Sequence, residues 1–143
     1  MKFIRIASPD IEIKRGSNKI TVEIDGNEVR DIKALYDLLT DRLSFPGYFG
    51  ENLDALYDML VDLQWLKHDT IELIIFNYHN FLADEDAADK ADLMLLLEDA
   101  CREWKEGDFD DEEWEMKKFR VIVACDQKTG ESIARAIDDL TEE

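Results

Sequence analysis

A chain of 143 residues with 45% hydrophobic and 36% charged side chains can form one domain with its own core, and it is too apolar to be disordered. Against 17 Lys and Arg it carries 35 Asp and Glu, a formal charge of −18 that repels nucleic acid and draws basic partners. No stretch approaches the roughly 20 apolar residues of a membrane span, and "MKFIRIASPD" is too short in apolar residues for a signal peptide, so a cytoplasmic protein is expected.

The elements follow in chain order. "KFIRI" and "IEIKR" alternate apolar and charged residues around "SPD", which predicts a short N-terminal hairpin. "KITVEI" alternates in the same way and stops at the Asp25-Gly26 turn signal. Asp31 is placed to cap a helix over "IKALYDLLTDRL", with Ile32, Leu35, Leu38 and Leu39 on one face. A loop rich in glycine and aromatics comes next, then a predicted amphipathic helix over 51–63 with Leu53, Leu56, Leu60 and Leu63 inward. "TIELIIF" is a continuous apolar run, as a strand buried on both faces requires. Residues 86–105 read as a longer helix with Leu93, Leu96, Leu97, Ala100 and Trp104 inward. "EGDFDDEEWE", seven acids without a base, reads as a solvated loop and lacks the glycine of a calcium-binding loop. "FRVIVAC" is a second buried strand, and "TGESIARAIDDL" a closing helix with Ile133, Ile137 and Leu140 on one face. Strands alternating with helices predict an α/β fold with a small, mainly parallel sheet, in a single domain over 1–143.

Cys101 and Cys125 lack C-x-x-C spacing and lie in apolar segments, so both read as buried free thiols. His68 and His79 stand without ligand spacing, and neither a metal nor a cofactor is expected.

The stretch "SFPGYFGENLDALYDML" carries the functional signal. On a helix that advances about 100° per residue, Asp54, Asp58, Val61, Asp62 and Trp65 point away from the leucine seam. Tyr48 and Phe49 precede them in a loop where Gly47 and Gly50 permit unusual backbone angles. An aromatic anchor beside grouped carboxylates suits the basic pocket of a protein partner. Two other readings stand beside this one. Either ring could pack under the loop and leave the aspartates as an ordinary solvated face. Asp54 and Asp58 could also form a general acid/base pair, but no nucleophile, oxyanion loop or burial accompanies them, so an enzyme is not expected.

"FPGYFGENLDALYDMLVDL", preceded by a strand ending in "IDG" and the helix "DIKALYDLLTDRL", resembles the barstar family of ribonuclease inhibitors over about residues 20–125. The resemblance implies a three-stranded parallel sheet packed with helices, here with the N-terminal hairpin and the C-terminal helix added. It also implies a cytoplasmic immunity protein, monomeric when free, that plugs a cognate basic ribonuclease or toxin nuclease. By position, Tyr48 resembles the loop tyrosine that covers the enzyme's active site. Asp54 and Asp58 resemble the two helix aspartates that meet its phosphate-binding residues, and Phe49, Asn52 and Asp62 are carried with them. Tyr57 takes the place of an interfacial tryptophan, and Val61 that of a threonine. The later helix glutamate falls nearest Asp99, with Glu98 next. Residues 1–18, 106–115 and 126–143 lie outside the resemblance. The alternative function is an acidic module that regulates another basic protein through the same surface.

Overall fold

The computed structural model describes residues 1–109 and 111–141. Its elements are β1 (Arg5–Ala7), β2 (Lys19–Asp25), α1 (Ile32–Leu43), α2 (Leu53–Leu60), β3 (Thr70–Phe76), α3 (Ala87–Glu106), β4 (Lys118–Ala124) and α4 (Gln127–Thr141). The strands form one sheet in the order β1-β4-β3-β2, parallel throughout. Each parallel step needs a crossover, and α1 with α2 supplies the one between β2 and β3, α3 the one between β3 and β4.

Period-2 alternation sorts the strands' side chains. Val22, Ile24, Ile71, Leu73, Ile75, Val121 and Val123 are almost wholly buried and form the centre of the core with Leu35, Leu39, Leu56, Leu60, Leu93 and Leu97. On the opposite face Glu72 is also buried, and Lys19 at 3.2 Å and Arg120 at 3.9 Å compensate its charge. Asp31 caps α1 as expected, its carboxylate accepting from the Ala34 amide at 2.8 Å. Gly26 is required by close approach: a Cβ there would sit 2.1 Å from the Asn77 carbonyl oxygen.

The sheet has four strands rather than three, and the N-terminal hairpin does not form. "SPD" does turn the chain, with the Ile11 amide donating to the Ser8 carbonyl at 3.0 Å, but 11–16 is not a strand. Arg5, Ile6 and Ala7 instead register beside Ile122, Val123 and Ala124. The reason is non-local. The Glu98 carboxylate on α3, itself only 1% exposed, accepts the amides of Lys2 at 2.5 Å, Phe3 at 3.0 Å and Ile4 at 2.8 Å. Ile6 then packs against Gly130 of α4, where a Cβ would fall 2.9 Å from its Cγ2. An alternating pentapeptide suits a hairpin or an edge strand equally well, and these contacts select the edge.

Within the acidic stretch 106–115, Glu106 ends α3, and the described residues 107–109 and 111–115 are irregular, as expected, but anchored. Phe109 and Trp114 stack with Trp104 at centroid distances of 5.3 and 6.3 Å. Gln64 clasps the Glu115 backbone, accepting from its amide at 2.8 Å and donating to its carbonyl at 2.9 Å.

Both cysteines are free thiols. Burial pushes Cys101 up to about 12, with the Glu98 charge adding to it, and burial also raises half-buried Cys125. The thiolate is the reactive form. In the native protein at pH 8, Cys101 is therefore expected to react with an aromatic disulfide reagent only on unfolding, and Cys125 slowly before it. Prompt reaction of two thiols per chain without denaturant would contradict this packing.

Candidate functional site

The loop 44–52 stands on an aromatic base. Phe45 is buried and meets Phe49 edge-on at 5.1 Å, and Phe49 meets Tyr36 of α1 edge-on at 5.3 Å. Trp65 closes the base from below, 6.2 Å from Phe45, with its indole N–H donating to the Leu43 carbonyl at 2.8 Å. Edge-to-face pairs of this kind add directional preference to the area they bury. Lys33 ties the loop to α1 by reaching both Asp37 at 2.7 Å and Glu51 at 3.0 Å.

The two rings predicted for the site therefore part company. Phe49 is packed inward, half-buried, while Tyr48 stands 72% exposed. The backbone expectation at Gly47 and Gly50 fails, since neither glycine has positive φ. Ser44 (φ 52°) and Glu51 (φ 48°) take the left-handed conformation instead. Ser44 does so as the C-cap of α1, where such a conformation lets a helix end.

Asn52 is the N-cap of α2, its Oδ1 accepting from the Ala55 amide at 2.8 Å. Asp54 and Asp58 follow on the exposed side of α2, and among the described residues neither carboxylate forms a hydrogen bond or an ion pair. Leu56, Met59 and Leu60 hold the helix from beneath.

Helix α2 is shorter than the 51–63 predicted. The chain leaves it at Val61, and Leu63 turns to φ 55° while remaining buried. The indole N–H of Trp104 takes the Leu60 carbonyl at 2.7 Å, and Asp62 accepts from the Gln64 amide at 3.2 Å. Both bonds compete with helix continuation. Asp62 is thus half-buried and locally engaged, and Val61 is half-buried at the cap. Trp65 does not share a face with Asp58, because it belongs to the base of the loop.

Tyr57 lies where α2 meets α3. Burial raises the pKa of its phenol above the ordinary tyrosine value, and Glu103, Asp99 and Asp58 raise it further while Arg102 opposes them. This ring therefore stands among acids contributed by both helices. Asp99 is half-exposed and bound to Arg102 at 2.7 Å. Glu98 points the other way, into the clasp on residues 2–4. Glu103 was missed in the sequence; its signal was the i,i+4 spacing from Asp99, which puts both on one helix face.

Among the described residues no group of three His, Cys, Asp or Glu side chains could hold a metal ion, and no helix is long and apolar enough to cross a membrane. The arrangement is an exposed surface, with free carboxylates one turn apart on α2 and a projecting phenol in the loop that leads into it, both on a packed base.

Two comparisons with known proteins give the chain's family. Residues 20–124 match the model of the family described as Barstar (barnase inhibitor). The chain is also 37% identical over 103 residues to the "Putative ribonuclease inhibitor YrdF" of Bacillus subtilis (strain 168), an alignment covering 70% of this chain and 93% of that protein. The match takes in β2, both helices flanking the aromatic loop, β3, α3 and β4, and this chain belongs to the Barstar (barnase inhibitor) family.

Proposed function

We propose that the protein inhibits a basic ribonuclease by laying Tyr48 and the α2 carboxylates into its active site. The family is one of inhibitors, not enzymes. The observation that carries the finer reading is the pair Asp54 and Asp58, exposed, unpaired among the described residues, and preceded by a 72% exposed tyrosine in the loop that leads into α2. Carboxylates at that spacing stand in for phosphates of the RNA, and the Tyr48 ring blocks the place of a base or a catalytic side chain. Tyr57, Asp99 and Glu103 extend the acidic surface onto α3. Asn52 and Phe49 act indirectly, one by starting α2 and the other by supporting Tyr48. A loop ordered before contact loses less entropy on binding. The protein would act in the cytoplasm, as a monomer until it meets its enzyme, as an immunity protein does against a toxin nuclease.

The direct test is to recover the nuclease that co-purifies from the native cell and measure RNA cleavage while titrating this protein. Stoichiometric loss of cleavage supports the reading, and an unimpeded nuclease overturns it. The association rate should fall steeply with salt, because a −18 inhibitor approaches a cation-rich site and screening shortens the field to about 10 Å at 0.1 M. A rate constant that stays flat as salt is added would remove electrostatic steering from the mechanism.

A further inference from the structure

The carboxyl end of the sheet carries a feature that the inhibitory surface does not use. An open pocket of about 510 Å³ lies between the first turns of α3 and α4, beside the Tyr78–His79 segment that follows β3. Lys90 and Ala91 line one side, and Lys128, Ser132 and Ile133 the other. Its size is that of a small-molecule site, and the carboxyl ends of parallel strands are where α/β sheets commonly hold ligands. Helix α1 runs back from the carboxyl end of β2, so the loop carrying Tyr48 is at the other end of the sheet.

Lys90 is the anomaly. Its half-buried ammonium donates to the Tyr78 carbonyl at 2.7 Å and sits 3.9 Å from the centroid of the Tyr78 ring. In a chain with 35 acidic residues, no carboxylate among the described residues forms an ion pair with it. Asp86 at the N-cap of α3 and Asp89 in its first turn form no ion pair with it. Burial lowers its pKa to about 8, so the fold partly desolvates this cation without giving it a carboxylate partner among the described residues.

The pocket's one lining carboxylate is already committed. Asp126 accepts from the Thr129 amide at 2.8 Å at the start of α4. Hydrogen bonds from Thr129 hold its pKa below the usual carboxylate range, and the nearby charges of His79 and Lys128 contribute. Lys128 has no ion pair either among the described residues. Two lysines against one occupied aspartate leave a cationic surplus.

We propose that this pocket binds a small phosphate monoester, with its phosphoryl group between Lys90 and Lys128 and its carbon skeleton against Ala91 and Ile133. A phosphoryl dianion offers three acceptor oxygens, enough for both ammoniums and the Ser132 hydroxyl at once, and charge-assisted bonds of this type are the stronger class. A phosphoryl dianion also brings nearly twice the charge of a carboxylate, which suits a site with two ammoniums.

The test is a titration followed by amide NMR, with ribose 5-phosphate, inorganic phosphate and ribose as probes at constant ionic strength. Ribose 5-phosphate should produce saturable shifts at Tyr78–His79, Lys90 and Lys128–Ser132, with a Kd of about 1 mM or tighter. Inorganic phosphate should bind more weakly at the same amides, and ribose not at all. Lys128→Gln and Lys90→Gln should each weaken ribose 5-phosphate by about tenfold. Because Lys128 is exposed, its variant keeps the test decisive even if Lys90→Gln disturbs the fold. Absence of saturation with ribose 5-phosphate, an equal response to ribose, or an unchanged Kd in the Lys128 variant overturns the proposal.

Discussion

Asp58→Ala is expected to weaken binding to the cognate nuclease by about 2–5 kcal/mol or more, a magnitude taken from charged interfaces in general, complexes of this family included. Every 1.4 kcal/mol is about tenfold in Kd, so the loss runs from tens- to thousands-fold. Asp58 lies one turn beyond Asp54 on the exposed side of α2, free of any partner among the described residues. Its carboxylate is thus available to enter a basic pocket, and removing it would leave the partner's cations buried and unpaired. Folding should barely change, since an exposed substitution usually stays within about ±0.5 kcal/mol. Asp62→Ala should cost much less in binding, because Asp62 is half-buried and turned to the Gln64 amide. Kd values against the captured enzyme, with urea melts of each variant, decide the matter. Wild-type affinity in folded Asp58→Ala would place the interface elsewhere.

Glu98→Ala is expected to have the opposite profile. Removing a carboxylate that is 1% exposed strands the amides of Lys2, Phe3 and Ile4, at about 1–3 kcal/mol for each donor left buried. The segment can escape by detaching, but it then exposes Ile4 and loses the packing of Ile6 on Gly130. Either route costs about 3 kcal/mol or more and lowers the melting temperature by roughly 10 °C. Glu98→Gln keeps one acceptor oxygen and should fall between. Asp99→Ala, which breaks only a half-exposed pair with Arg102, should cost about 1 kcal/mol or less in stability. Where Glu98→Ala is still folded, its affinity for the nuclease should stay near wild type while Asp58→Ala has lost most of its own. If Glu98→Ala melts like wild type and loses affinity instead, Glu98 belongs to the interface and not to the clasp.

Together these variants would separate the two uses of acid in this chain. Glu98 and Glu72 are buried acids whose charge the protein itself answers, with amides in one case and with Lys19 and Arg120 in the other. Asp54 and Asp58 are answered by nothing among the described residues. The same side-chain chemistry is therefore structural in the middle of α3 and on β3 and left exposed on α2, and net charge does not tell the two apart.

Local pattern was enough for much of this protein. Alternation located β2 and continuous apolar runs located β3 and β4, each to within a residue, helical spacing located α1 and α3, and Asp31 announced its cap, because pattern and capping depend only on neighbours within a turn or two. The run from Phe45 to Leu63 also carried the family, since a loop-to-helix element of that length is seldom matched by chance. What the chain does at a distance was decided only in three dimensions. "KFIRI" joined β4, more than a hundred residues away, instead of its neighbour "IEIKR", because three amides found Glu98 and Ile6 found Gly130. Helix α2 stopped short of Leu63 because Trp104, 44 positions further along, takes the Leu60 carbonyl. Phe49 and Tyr48 are adjacent aromatics that no local rule distinguishes, and the Tyr36–Phe45 cleft that accepts one ring leaves the other in solvent. Glu98 and Asp99 differ by 100° around one helix, enough to bury the first against the N-terminal strand and leave the second half-exposed beside Tyr57.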